Sequence, residues 1–288
     1  MVGKVISKYQ NAFVEGRQIF DAMLIANEAI DSILKSNRVG VLCKLDIEKA
    51  YDRVNWNFLL EVLEKMGFGR RWINCIRWCI STPRFSVLAN GTPLRFFQSS
   101  RGLRQGDPLS LYFFVLAKEA LGCLLRKVSE GGYLSGFKMF GRNGEDLEVS
   151  YLLFVDDTLV FCEAIFNQMT YLSLLFMWFE AILGLKINLA KNELIFNWEG
   201  DEFRGDGFWN RMQSGCALDH LFGAPARLGA THNSVVAWDE VEERFRKRLA
   251  MWKRQYISKG WRLTLIKSTL ASLPIHLMSL FRIPREFV

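Results

Sequence analysis

Histidine is scarce in this chain of 288 residues, three in all, and the six cysteines include no CxxC pair. Zinc sites draw on clustered His and Cys, and disulfide scaffolds on spaced cysteines in short secreted chains, so neither is expected. Cys43, Cys75, Cys79, Cys123, Cys162 and Cys216 lie mostly within apolar segments. Free thiols there behave as small buried hydrophobes, so reduced core thiols and no disulfide-linked partner are expected. Long apolar runs are missing too: 109–117 and 171–179 are nine residues each, against the roughly 18–20 that a membrane span needs. No membrane helix and no membrane partner are expected. The opening MVGKVISKYQNAF has neither the apolar stretch nor the small-residue cleavage site of a secretory signal. That reads as an intracellular chain, nuclear or cytoplasmic.

What is present is a globular composition, 50% hydrophobic and 14% aromatic, enough to bury one large core or two modest ones. The formal charge is +7 and the pI near 9.1, a balance that suits a polyanionic partner.

Apolar spacing predicts a helix over 19–35. GVLCKL (40–45) reads as an interior strand delivering Asp46 at its end. Asn55 caps a helix that stops at Gly67, and an amphipathic stretch follows at 70–80. Asn90-Gly91 and Asn143-Gly144 signal hairpins. Asp107-Pro108 opens a helix running to about Lys127, and another spans about 167–183, closing at Gly184. In YLLFVDDTLVFC (151–162) the Asp156-Asp157 pair is expected to form the two-residue turn of a further hairpin. Periodicity fails from 198 to about 234 and returns with a basic amphipathic helix at 238–256.

Adjacent ionised carboxylates repel and lose hydration beside apolar strands, so they persist only if exposed, protonated or neutralised by a cation. An Asp-Asp turn alone is most simply a solvated hairpin tip. Asp46, at the end of a neighbouring strand, changes that balance. Three carboxylates with no nearby histidine or thiolate make a hard oxygen site of the kind magnesium prefers, and paired ions there serve phosphoryl transfer.

KLDIEKAYDRVNW (44–56), RGLRQGDPLS (101–110), LLFVDDTLVFC (152–162) and GLKINLAKNEL (184–194), in that order, resemble the reverse transcriptase domain of LINE-type, non-LTR retrotransposons of the plant kind. The flanks NAFVEGRQIFDAMLIANEAIDS and LAMWKRQYISKGWRLTLIKSTLASLP resemble that family as well. The resemblance implies an α+β right-hand polymerase palm, a small antiparallel sheet backed by helices, with incomplete fingers and a helical C-terminal appendage. It implies RNA-directed DNA synthesis, with an RNA template, a DNA primer and dNTPs as partners and two Mg2+ ions, for which Mn2+ can substitute.

Carried over by position, Asp46, Asp156 and Asp157 match the metal-binding aspartates, with the Ile47 main-chain carbonyl as a further ligand. Tyr51 matches the aromatic under the incoming sugar; its bland reading is a packed ring. Gln105 and Gly106 match the loop that meets nucleotide and template. Lys191 matches a proton donor to pyrophosphate, with a solvated lysine as the alternative. Arg244, Lys247, Arg248, Lys253 and Arg254 lie in the segment leading to the thumb, where phosphate contacts would be sequence-independent.

The expected organisation is a palm with partial fingers over 1–197, a degenerate linker over 198–236, and a basic helical segment over 237–288 leading to a partial thumb. MVGKVISKYQ offers no counterpart to the lysine and arginine that grip the triphosphate in the family. The isolated chain is therefore expected to have weak or no polymerase activity. The rival from another class is a non-catalytic nucleic-acid-binding remnant of the same fold; Tyr51 and the RQG loop argue against a two-metal nuclease.

Overall fold

A computed structural model describes residues 3, 5–36, 39–140 and 146–188, and, beyond them, 193–197, 213–215, 220–221, 224–225, 238–239, 242–243 and 246. In chain order the elements are α1 (Ile19–Ser36), β1 (Gly40–Leu45), β2 (Ile47–Glu48), α2 (Ala50–Arg53), α3 (Trp56–Lys65) and α4 (Arg70–Ser81). Four two-residue strands follow, β3 (Arg84–Phe85), β4 (Leu88–Ala89), β5 (Thr92–Pro93) and β6 (Phe97–Gln98). Then come α5 (Pro108–Glu130), β7 (Phe137–Phe140), β8 (Asp146–Val149), β9 (Tyr151–Phe154), β10 (Asp157–Glu163) and α6 (Phe166–Leu183). Last are β11 (Lys186–Ile187), β12 (Glu193–Asn197), β13 (Gln213–Gly215), β14 (His220–Leu221) and β15 (Ala224–Pro225).

The central sheet has the order β13-β12-β1-β10-β9. Its pairings are antiparallel except β12 with β13, which is parallel. Both faces of β1, β9 and β10 are buried. Val41, Cys43, Leu45, Tyr151, Leu153, Val160 and Cys162 point into a large core shared with α3, α5 and α6. Leu42, Leu152, Leu159 and Phe161 point the other way, against α1 and the β7–β8 hairpin. These three strands are therefore near-continuous apolar runs with no solvated face. The palm-like sheet backed by helices is as the sequence predicts.

Local chemistry places the helix ends. The Asn55 side chain accepts from the Asn57 and Phe58 N–H groups at 2.9 and 3.3 Å, and Asp107 accepts from Leu109 N–H at 3.0 Å with Pro108 next in the chain, each supplying orphan donors of the first turn. Gly184 closes α6 at φ 69. Asn90 and Gly91, at φ 51 and 80, turn β4 into β5, as a type I′ hairpin requires. On α1, within the helix predicted over 19–35, Met23, Ala26 and Ile33 are buried while Leu34 is exposed.

The expectation of buried thiols holds for Cys43 and Cys162 but not for Cys75, which is exposed, or for Cys79 and Cys123, which are half-buried. Cys75 is carried to the surface because it falls on the outer side of α4, whose buried residues are Ile73 and Ile76. Among the described residues α5 alone is long and apolar enough to cross a membrane. Phe113 through Glu119 lie buried in the protein interior, the position of a core helix. The Asn143-Gly144 turn, Cys216 and most of the predicted linker lie outside the described residues.

Within α5, Glu119 is 3% exposed. Its Oε1 accepts from Ser7 N–H at 3.0 Å, while Oε2 has no hydrogen-bond partner among the described residues. Burial raises its pKa above the ordinary 4.5, against the Ser7 hydrogen bonds and the charges of Arg126 and Arg17. A carboxyl whose folded pKa is raised contributes stability below its unfolded value, and loses that contribution as pH climbs through the folded value. Glu119→Gln, uncharged throughout and still able to accept from Ser7, should therefore raise unfolding free energy at about pH 7 and leave it little changed near about pH 4. Urea unfolding of both chains at the two pH values checks this.

Candidate functional site

β1 is an apolar strand that must end where the chain turns polar, and Asp46 stands there. The short β2 and β11 pair antiparallel, Ile47 opposite Ile187. This brings Asn188 to Asp46: its N–H donates to the Asp46 main-chain carbonyl at 2.9 Å, and its side-chain amide donates to the Asp46 carboxylate at 3.3 Å. Asn188 thus aims the first carboxylate. It lies inside the quoted GLKINLAKNEL stretch, but nothing in local spacing points to it, because the contact spans 142 residues.

The hairpin between β9 and β10 corrects one expectation. Asp157 pairs with Phe154, so the two turn residues are Val155 and Asp156, not Asp156 and Asp157. Val155 takes φ 46 while Asp156 has no positive φ, the pattern of a II′ turn. Asp156 stands at the tip, and Asp157 opens β10 with its main-chain carbonyl accepting from Lys118 Nζ at 2.6 Å. Moving the turn by one residue exposes one carboxylate to the cleft and draws the other toward the core. Burial, followed by the Asp156 charge, pushes the Asp157 carboxyl up to about 6, against Lys118 and Lys44.

A cleft of about 450 Å³ is lined by Asp46, Ile47, Lys49, Tyr51, Gln105, Gly106, Leu111, Asp156 and Asn188, among others. Tyr51 enters from α2, its ring stacked on Phe114 of α5 with centroids 4.8 Å apart and planes at 28°. Burial and then Asp156 raise its hydroxyl pKa, so it stays a neutral phenol. Gln105 and Gly106 come from the loop between β6 and α5. That loop is fastened to α2, its C-terminal end and the start of α3: Gly102 N–H donates to the Val54 carbonyl at 2.8 Å, Leu103 N–H to the Tyr51 carbonyl at 2.8 Å, and Trp56 Nε1 to the Gly102 carbonyl at 2.7 Å.

Of the residues singled out from sequence, Asp46, Ile47, Tyr51, Gln105, Gly106 and Asp156 share this cleft. Asp157 stands behind Asp156 rather than on the cleft lining. Lys191, Arg244, Lys247, Arg248, Lys253 and Arg254 lie outside the described residues. Lys118 was missed; the sequence signal was a lysine in the middle of an apolar helical run.

The donor set is oxygen alone, carboxylates and a main-chain carbonyl, which suits a hard divalent cation rather than zinc. Asp46 and Asp156 open to the same space; burial is the main cause of the raised Asp157 pKa, and the Asp156 charge that adds to it is one a cation would offset. These residues fit a hard cation held chiefly by Asp46 and Asp156. Among the described residues no group of three His, Cys, Asp or Glu stands close enough to hold an ion.

A family model for reverse transcriptase (RNA-dependent DNA polymerase) matches residues 1–221. The chain is 44% identical over 71 residues to an uncharacterized mitochondrial protein of Arabidopsis thaliana, covering 25% of this chain and 56% of that protein. It is 26% identical over 159 residues to the retrovirus-related Pol polyprotein from type-1 retrotransposable element R2 of Nasonia vitripennis, covering 54% of this chain and 14% of that one. Among solved structures, telomerase from Candida albicans in complex with a TWJ fragment of telomeric RNA aligns with TM-score 0.52 at 13% identity, over 95% of this chain and 43% of that chain. That likeness shows the shared right-hand polymerase fold. The chain spans less than two thirds of the length of each of these proteins. With a family match over most of its length and retrotransposon Pol proteins among its relatives, this chain belongs to the reverse transcriptase (RNA-dependent DNA polymerase) family.

Proposed function

We propose that the chain is the palm of an RNA-directed DNA polymerase, adding deoxynucleotides from dNTPs to the 3′-hydroxyl of a DNA primer on an RNA template. The observation that carries this reading is the single cleft holding Asp46, Asp156, Tyr51, Gln105 and Gly106. Asp46 and Asp156 would bind divalent cations, two Mg2+ with Mn2+ as a substitute, aided by the Ile47 carbonyl and by Asp157 from behind. When bound, the ions would polarise the attacking hydroxyl and neutralise charge on the phosphates. The primer oxygen forms a bond to the α-phosphorus, the bond to pyrophosphate breaks, and the hydroxyl proton leaves to solvent. Tyr51, held by its stack on Phe114, would stand under the sugar and crowd a 2′-hydroxyl. Gln105 and Gly106 would meet the nucleotide and template, and Lys191 would serve as proton donor to pyrophosphate.

The family match and retrotransposon relatives support an RNA template, and the telomerase neighbour is itself bound to RNA. The basic residues Arg244, Lys247, Arg248, Lys253 and Arg254 are proposed to grip phosphates. Binding through them should weaken steeply with salt.

A second reading, a nucleic-acid-binding remnant without catalysis, is favoured by one observation, the lack of a three-ligand group among the described residues. Primer extension from oligo(dT) on poly(A), with Mg2+ or Mn2+, separates the two. Extension supports the polymerase; salt-sensitive, metal-independent binding without extension supports the remnant. In an extending chain, Tyr51→Ala should raise ribonucleotide use relative to deoxynucleotide by roughly tenfold or more, because the clash is removed. Competing dTTP and UTP in the same assay measures it.

A further inference from the structure

Lys118 sits in the middle of α5 with no exposed surface. A fully buried lysine is rare, since its ammonium loses hydration. Its compensation is visible: Nζ donates to the Asp157 main-chain carbonyl at 2.6 Å, across 39 positions of sequence. Its charge faces Asp157, Asp156 and Asp46, in decreasing strength. Burial outweighs their attraction and lowers its pKa to about 7. A neutral amine donates the same hydrogen bond, so the contact survives in either protonation state.

The carbonyl that Lys118 holds follows directly on the Val155–Asp156 turn. Val155, at φ 46, is a β-branched residue in the left-handed region, a conformation that persists only where the surroundings impose it. The polar contact from α5 supplies such a constraint. The same helix begins, through its Asp107 cap, directly after the loop carrying Gln105 and Gly106. One rigid element therefore reaches both sides of the cleft.

We propose that Lys118 is the positioning residue of the carboxylate turn: its bond to the Asp157 carbonyl clamps the strained turn onto α5 and fixes where the Asp156 and Asp157 carboxylates aim. The clamp deepens the proposed function and rests on its reading of Asp46, Asp156 and Asp157 as cation ligands. Lysine is suited to the task because its long apolar stem crosses the core while its terminal nitrogen reaches the Asp157 carbonyl.

The test is Mn2+ binding, followed by electron paramagnetic resonance, together with amide hydrogen exchange over residues 155–158, in the full chain. Lys118→Met removes the donor at similar size. It should lower Mn2+ affinity about 10–100-fold, as losing a partner that orients a ligand does, and speed exchange at the turn while α5 and β1 keep their protection. Lys118→Gln, which keeps an N–H donor on a shorter arm, should fall between Lys118→Met and the wild type. A folded Lys118→Met chain that binds Mn2+ as tightly as the wild type or more tightly overturns the clamp, the tighter case making Lys118 a repelling charge instead. If Lys118→Met does not fold, Lys118→Gln is read the same way: weaker binding supports the clamp, and equal or tighter binding overturns it. Asp156→Asn keeps the two readings apart. If it leaves the wild-type Mn2+ affinity intact, the ligand assignment fails, and the clamp stands or falls on exchange at the turn alone.

Discussion

Gly102→Ala is expected to lower the unfolding free energy by about 2–5 kcal/mol, the sum of a left-handed backbone penalty of about 1–2 and an overpacking cost of about 1–3. Gly102 has φ +85, and a methyl group built there would lie 2.7 Å from the Asp52 carbonyl oxygen. Backbone, unlike a flexible side chain, cannot yield cheaply. The position is further tied by the Gly102 N–H bond to the Val54 carbonyl and by the Trp56 indole bond to the Gly102 carbonyl. Relief of the clash requires lifting the loop off α2, and that moves Gln105 and Gly106 out of the cleft. Nucleotide use should therefore fall along with stability. Gly106→Ala is the control: it has nearly the same φ, +81, but nothing lies within 4 Å of the added methyl. It should cost only the backbone term, about 1–2 kcal/mol. Urea unfolding of the two variants measures the difference, and equal losses would show that the packing against Asp52 contributes nothing.

The second large effect concerns Asp156. Asp156→Asn keeps the size of the side chain at the hairpin tip and removes its charge. The turn remains held by the β9–β10 pairing and by the Lys118 contact with Asp157, so the fold should persist. Phosphoryl transfer draws several kcal/mol from cation stabilisation, and each 1.36 kcal/mol is a factor of about ten. Loss of this ligand should reduce incorporation on the order of 10³-fold or more. Salt-sensitive binding of primer-template should be unchanged, because Asp156 adds no attraction for phosphates.

How much of this was legible in the sequence depended on the range of the interactions. Asn55, Asp107, Asn90-Gly91 and Gly184 act on their own neighbours, and each ended or turned an element where the sequence placed it. Asp46 was legible because a buried strand has to stop where its apolar run stops. The carboxylate turn was placed one residue late for a definable reason. Shifting that turn by one residue changes the pairing register by two, which leaves Leu152 with Leu159 and Phe161 on one face and Tyr151, Leu153, Val160 and Cys162 on the other. Alternation cannot distinguish such registers, since only odd slips exchange the faces. Contacts distant in sequence, Lys118 with Asp157 and Tyr9 with Leu153, distinguish them, and no local pattern carries that information. Asn188 escaped for the same reason, since its partner Asp46 is 142 residues away.

The most direct test of the central claim, that the cleft of Asp46 and Asp156 is where nucleotides are joined, is metal-dependent primer extension by the wild-type chain and Asp156→Asn side by side. Both chains would first be shown to be folded and to bind primer-template. The account predicts weak but measurable extension by the wild type and its loss in Asp156→Asn with binding intact. Extension that survives the substitution unchanged would contradict it.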